Sequence, residues 1–247
     1  MGTGTSTGVP VIACDCAVCT SPDPRNNRTR TSAWVRSEET SLLIDTPPEM
    51  RIQAIANGLR RLDGVLFTHS HADHIFGLDD VRRFNFMQGM AMPCYGDENT
   101  LKDLRRVFSY VFMDTQAGGG KPSLLLHAVV DPFPLGNLEV MPIPIFHGRL
   151  PIYGYRIGRF AYVTDVSEIP PASMELLQDL EVLVLGALRP MPHPTHFNVA
   201  QAIEVSQMLS PRQTYFTHMT HDLDHETANR ELPHGIRLGY DGLTFEV

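Results

Sequence analysis

The stretch Thr68-His69-Ser70-His71-Ala72-Asp73-His74 directly follows the apolar run Gly64-Val65-Leu66-Phe67 and puts four potential metal ligands into six consecutive positions. A short apolar run ending in polar residues reads as a buried strand that delivers a loop. In an extended loop alternate side chains share a side, so His69 and His71 point the same way and can grip one cation. Asp73 and His74 lie far enough along to hold a second. A lone histidine is usually a surface or satisfied core residue, but packing gives no reason for this density of imidazole and carboxylate.

The strand-then-ligand pattern recurs. His147 follows Pro144-Ile145-Phe146, Asp165 follows Tyr162-Val163-Thr164, and His218 follows Tyr215-Phe216-Thr217. Loops at strand ends are where α/β scaffolds gather functional groups, so these three read as further parts of one site. Strands are predicted over 33–37, 41–44, 65–68, 138–145, 152–157, 160–164, 182–185, 214–217 and 243–247. Helical spacing of apolar residues marks 48–57, 99–111, 172–178, 198–209 and 224–231, with Asn198 as an N-cap. Strands mixed with helices predict an α/β fold of sheets packed between helices.

Composition bounds the function. The 247 residues, 43% of them hydrophobic, can bury a large core; with no linker, low-complexity run or repeat, one domain over 1–247 is expected. A formal net charge of -8 repels polyanions, which argues against a grip on long nucleic acid, although bound metal ions can reverse the sign locally for a small anionic substrate. No apolar stretch approaches a membrane span and no secretory signal opens the chain, so a cytoplasmic location is expected and no membrane partner. Whether the protein forms a homodimer is left open.

Three of the four cysteines, Cys14, Cys16 and Cys19, are packed into Cys-Asp-Cys-Ala-Val-Cys. That spacing makes a poor disulfide framework and a good thiolate chelate, and it calls for a fourth ligand from elsewhere. The bland alternative is three reduced thiols in a turn. Cys94, after Pro93, reads as a small core residue. Gly2-Thr3-Gly4-Thr5-Ser6-Thr7-Gly8 lacks the Gly-Lys-Ser/Thr of a phosphate loop and reads as a tight turn. Arg82 and Arg83 read as a solvated helix end, whereas Arg189 lies in the loop leading to His196 and is the better candidate for meeting a substrate phosphate. Gly118-Gly119-Gly120 reads as a surface loop that acts as a lid only if it overhangs the site.

The motif His69-x-His71-x-Asp73-His74, with His147, Asp165 and His218 each after a strand, resembles the metallo-β-lactamase superfamily of dinuclear metal hydrolases. More narrowly, Gly2-Thr3-Gly4-Thr5-Ser6, the cysteine cluster, Arg30-Thr31-Ser32 and Thr217-His218-Met219-Thr220-His221 are similar to the PhnP-like phosphodiesterases that open phosphoribosyl 1,2-cyclic phosphate, a branch related to tRNase Z. The resemblance implies a four-layer αββα sandwich, two mixed sheets flanked by helices. It implies His69, His71 and His147 on one ion and Asp73, His74 and His218 on the other, with Asp165 bridging. Zinc or manganese would fill that pair, and iron also accepts such ligands. It implies a structural zinc on Cys14, Cys16, Cys19 and His221, with His225 as the competing fourth ligand. His196 is implied as general acid, its ordinary pKa suiting the task, with His193 as the rival; Asp73 counts among the catalytic residues as well as the ligands.

The activity so implied is hydrolysis of a small phosphodiester, above all a cyclic one such as phosphoribosyl 1,2-cyclic phosphate or a cyclic nucleotide. The alternatives are a tRNase Z-like nuclease or another esterase on this fold and, in a different class, a non-catalytic metal-binding biosynthesis protein. Two departures stand out. Relatives of this type begin with an apolar strand before Gly-Thr-Gly-Thr-Ser, where this chain starts at Met1, so an exposed sheet edge is expected. The long Gly/Pro/basic arm by which tRNase Z enzymes hold transfer RNA has no counterpart here.

Overall fold

The computed structural model of the chain describes residues 1–114 and 120–247, so Gly118 and Gly119 of the expected surface loop lie outside the described residues. Two mixed sheets form. The first has five strands in chain order: β1 (Ala33–Arg36), β2 (Ser41–Ile44), β3 (Gly64–Leu66), β4 (Met92–Gly96) and β5 (Leu124–Ala128). Only its β1–β2 pair is antiparallel. The second holds β6 (Phe133–Leu135), β7 (Leu138–His147), β8 (Leu150–Ile157), β9 (Phe160–Val163), β10 (Val182–Gly186), β11 (Gln213–Thr217) and β12 (Ile236–Leu238) in the reverse order, antiparallel from β6 to β9 and parallel from β9 to β12.

Side-chain alternation explains why the sheets stack. Leu42 and Ile44 of β2 join Leu66, Val140, Tyr155, Phe160, Tyr162 and Val182 in the layer between the sheets. Leu43 and Val65 face the other way, into a core covered by α1 (Met50–Ala56), α3 (Arg82–Gln88) and α4 (Glu98–Val107). On the second sheet Ala161, Val163, Leu183 and Leu185 face a third core under α7 (Val199–Leu209). A strand with both faces covered needs an unbroken apolar run, which is why Ser41–Ile44 and Phe160–Val163 are buried at every position. Helices, sheet, sheet, helices is the expected four-layer order.

Several elements differ from their sequence expectations. β4 and β6 contain Pro93 and Pro134, which argue against a strand when read singly. The expected strand over 243–247 does not form; Phe245 instead stacks on Tyr215, with ring centroids 5.2 Å apart, and the edge is taken by β12. The expected helix over 99–111 breaks at Phe108, giving α4 and a single turn, α5 (Ser109–Phe112). α2 (Ala72–Ile75) is a helical turn where an extended loop was expected to continue. The remaining helices are α6 (Pro171–Leu176) and α8 (His225–Glu231), and Asn198 caps α7 through a reciprocal pair of hydrogen bonds with Gln201.

Candidate metal centre

The ligands gather where the two sheets present the ends of their strands. His69 follows β3, Asp73 and His74 ride on α2, His147 is the last residue of β7, Asp165 follows β9 and His218 follows β11. Asp165 and His218 have left-handed backbones, φ 55° and 58°, as does Asp45 after β2, φ 62°. Non-glycine residues rarely adopt this conformation, aspartate more readily than most, and here it turns three side chains sharply out of their strands into one space. Two hydrogen bonds tie the sheets together beside it: Tyr155 OH donates to the Phe67 carbonyl at 2.7 Å and Tyr153 N to the Thr68 carbonyl at 3.0 Å.

Ligand atoms of His69, His71 and His147 lie within 4.8 Å of one another, and so do those of Asp73, His74, Asp165 and His218. Asp165 stands between the groups: its Oδ1 is 3.3 Å from His74 Nε2, and its Oδ2 is 3.1 Å from His218 Nε2 and 3.9 Å from His69 Nε2. Whether cations fit is answered by the imidazoles. His69 Nε2 and His74 Nε2, the nitrogens that face the Asp165 carboxylate, are buried without a hydrogen-bond partner. The opposite nitrogens of His74 and His147 are committed, Nδ1 of His74 to Asp45 Oδ2 at 2.7 Å and Nδ1 of His147 to the Thr195 carbonyl at 2.7 Å. A ring fixed through one nitrogen with the other left bare in a buried space is how histidine is set for a metal.

Charge in the site is mixed: burial lowers His74, but Asp165 and Asp45 outweigh it and hold that imidazole well above its ordinary value, so the carboxylates call for positive charge beside Nε2. Burial holds His69 well below the ordinary imidazole value, keeping it in the neutral form that ligates. Burial alone would raise Asp165, but His218 and His74 outweigh it and keep the carboxyl well below its usual range. His196, 13% exposed, stacks on His218 with ring centroids 4.9 Å apart and has Nδ1 4.0 Å from Asp165 Oδ2. Its pKa is not the ordinary one expected from sequence: burial, then His218, push it down to about 3.

A second cluster forms around His221, three residues beyond His218. Sγ of Cys14, Cys16 and Cys19 lie 3.2, 3.3 and 3.4 Å from His221 Nδ1. Ligands on a tetrahedral zinc, with Zn–S ~2.3 Å and Zn–N ~2.0 Å, stand roughly 3.5 Å apart, so the four can hold one ion. His225, the competing fourth ligand, opens α8 and packs against Tyr240 at 5.8 Å, apart from the sulfurs. Cys94 is fully buried and free.

A family model for the β-lactamase superfamily domain matches residues 40–219. The chain belongs to the β-lactamase superfamily. A solved diphosphatase of the PhnP family is 46% identical with a TM-score of 0.92, the match covering 98% of this chain and 93% of that one. Zinc-bound PqqB of Methylobacterium extorquens, 19% identical with a TM-score of 0.79 over 100% and 98% of the two chains, shares the fold. So does the short form of human tRNase Z, 16% identical with a TM-score of 0.71 over 98% and 95%. A curated octanoyltransferase of Porphyromonas gingivalis is 38% identical over 98% of this chain, which spans only 50% of its length. The superfamily fold, the PhnP-family match and the His/Asp clusters make this protein a metal-dependent hydrolase.

Two residues of this superfamily site escape a reading by sequence. Asp45, fully buried, accepts from His74 Nδ1, from Thr68 N at 2.9 Å and from Thr68 Oγ1 at 2.8 Å, so it sets the orientation of one ligand and of the strand end that carries the others. The signal was available, since Asp45 follows an apolar strand as Asp165 does. Arg28, 1% exposed, donates to the carbonyls of Thr220 at 2.8 Å and Leu223 at 2.6 Å, clamping the segment that carries His218 and His221. A lone arginine in a polar loop has no such signature.

Proposed function

We propose that this protein hydrolyses a small phosphodiester, a cyclic sugar phosphate or cyclic nucleotide, at a site holding two divalent ions, zinc or manganese. The observation that carries the reading is Asp165 standing within 3.1–3.9 Å of imidazoles from both ligand groups, where one carboxylate can serve two cations. Similarity to a PhnP-family diphosphatase supports phosphoryl chemistry at this centre.

His69, His71 and His147 would hold one ion, Asp73, His74 and His218 the other, with Asp165 shared. When bound, such a pair supplies hydroxide at neutral pH and polarises a phosphoryl oxygen. The residues of the chain do the rest. Asp45 keeps a proton on His74 Nδ1, so that Nε2 stays a lone-pair donor. The Thr195 carbonyl does the same for His147. His196, whose Nδ1 is 4.0 Å from Asp165 Oδ2, would protonate the departing alkoxide as the phosphorus–oxygen bond breaks. Cys14, Cys16, Cys19 and His221 would take a structural zinc that fixes the N-terminal loop against the wall of the site. Clustered reduced thiols fit a cytoplasmic protein.

The octanoyltransferase relative gives no reason to read this chain as an acyltransferase, because that name belongs to a protein twice as long and the thiols here are either clustered or buried. Turnover of bis-p-nitrophenyl phosphate with added Mn²⁺ or Zn²⁺ tests the reading, and no hydrolysis under any metal condition overturns it. Comparison of cyclic ribose phosphate, 2′,3′- and 3′,5′-cyclic nucleotides, a nucleoside diphosphate and short RNA, on protein of measured metal content, then ranks the substrates.

A further inference from the structure

In the Arg30-Thr31-Ser32 stretch, Thr31 and Ser32 are buried, and neither is among the candidate ligands, yet between them they touch both sheets. Neighbouring side chains of an extended chain point to opposite sides. Thr31 Oγ1 meets the second sheet, where it lies 2.9 Å from Tyr162 OH on β9 and 2.7 Å from Thr217 Oγ1 on β11, two strands kept apart by β10. Ser32 Oγ meets the first sheet and donates to the Ile44 carbonyl at 2.9 Å and the Asp45 carbonyl at 3.0 Å, at the end of β2. These contacts fall on the strand ends that carry the metal centre. Thr217 precedes His218, Tyr162 lies three residues before Asp165, and Asp45 orients His74. The stretch is itself anchored: Gln53 of α1 donates to the Arg30 carbonyl at 2.7 Å, and Asp241 accepts from Thr29 N at 2.8 Å. Gly2 packs against it so closely that a Cβ there would come within 2.2 Å of the Arg30 carbonyl.

We propose that Thr31 is a positioning residue for the metal centre: its hydroxyl fixes β9 against β11 and so sets Asp165 and His218 at the spacing one cation needs. Oδ2 of Asp165 and Nε2 of His218 stand 3.1 Å apart, in a site where metal–ligand distances tolerate errors of only ~0.2 Å. The ladder through β10 pairs its last residues at Val163 and Thr217, just short of both ligands, and the bonds of Thr31 extend the restraint beyond it. The effect falls mainly on one ion. Asp73, His74, Asp165 and His218 form that ligand group, whereas His69 and His147 are tied instead to Thr68 and Thr195. The inference rests on the two-ion reading of the site and not on any choice of substrate.

The test compares Thr31→Val, which keeps the shape and removes the hydroxyl, with Thr31→Ser, which keeps the hydroxyl. Thr214→Val is the control, since Thr214 is a buried residue of β11 whose hydroxyl has no partner. Each protein is dialysed against graded free Mn²⁺, the Mn²⁺ bound per chain is counted, and the electron paramagnetic resonance spectrum reads the coupling between neighbouring ions. The native protein should bind a coupled pair. Thr31→Val should weaken one ion by ~10-fold, and lose the coupled signal at limiting Mn²⁺, while the other ion stays within about two-fold of native. Thr31→Ser and Thr214→Val should match the native protein. Tyr162→Phe removes one of the two bonds and keeps the ring; it should weaken the same ion by a smaller factor, and it decides the matter if Thr31→Val does not fold. Native affinity in these variants, equal weakening of both ions, or a loss in Thr31→Ser as large as in Thr31→Val overturns the proposal. A native protein that binds no pair of ions sinks the two-ion reading together with it, whereas a native pair with unchanged variants sinks this proposal alone.

Discussion

Asp45→Asn isolates the contribution of a residue that touches no ion. Asparagine tolerates the left-handed backbone at this position, φ 62°, and matches aspartate in shape, so the main chain stays in place. The amide nitrogen must replace one carboxylate oxygen. In place of Oδ2 it meets Thr68 Oγ1, which can turn to accept, and His74 Nδ1, which must give up its proton. The imidazole then carries its proton on Nε2, the atom facing Asp165 and Asp73, and can no longer donate a lone pair to a cation. In place of Oδ1 the amide opposes the Thr68 N–H donor to donor in a fully buried site, at a cost of ~1–3 kcal/mol. Either outcome weakens one ion. The expected loss is ~10–100-fold in affinity, or ~1.4–2.7 kcal/mol. Dialysis of native and variant protein against graded free Mn²⁺, with metal counted per chain and the cysteine cluster as internal reference, reads this directly. Affinity within about two-fold of native, with both ions retained, would refute the reasoning. Asp45→Ala should be worse by a further ~1–2 kcal/mol of stability from the left-handed backbone alone.

Asp165→Ala should abolish turnover and lower the metal count, whereas His196→Ala should keep both ions and slow kcat by ~10²–10⁴-fold; metal analysis beside steady-state kinetics separates the two. Arg28→Met should shift the urea midpoint by an amount equivalent to ~2–5 kcal/mol, because it leaves the Thr220 and Leu223 carbonyls without their buried donor; a loss under ~1 kcal/mol would show that water replaces it. Cys16→Ser should remove one zinc per chain and lower the melting temperature, while the two ions of the hydrolytic site remain measurable.

The clustering of the candidate ligands was foreshadowed in the chain alone because its signal is local: a short apolar run that reads as a strand, followed at once by a residue type that packing does not ask for. That rule found His69, His147, Asp165 and His218, and it would have found Asp45 had it been applied to Ser41–Ile44. Sheets packed between helices were expected from the mixture of strands and helices, and the four-layer order from the resemblance to the metallo-β-lactamase superfamily. Three kinds of information are non-local, and only the tertiary structure decided them. Proline-bearing β4 and β6 become strands through their neighbours' hydrogen bonds, against their own propensity. His221 and not His225 reaches the three sulfurs, because the turn after β11 and the start of α8 send two imidazoles in different directions. His196 loses the ordinary pKa of a histidine because His218, distant in sequence, lies against it in a dry site. Residue chemistry is written along the chain; electrostatic environment and mutual distance exist only once segments far apart in sequence are packed together.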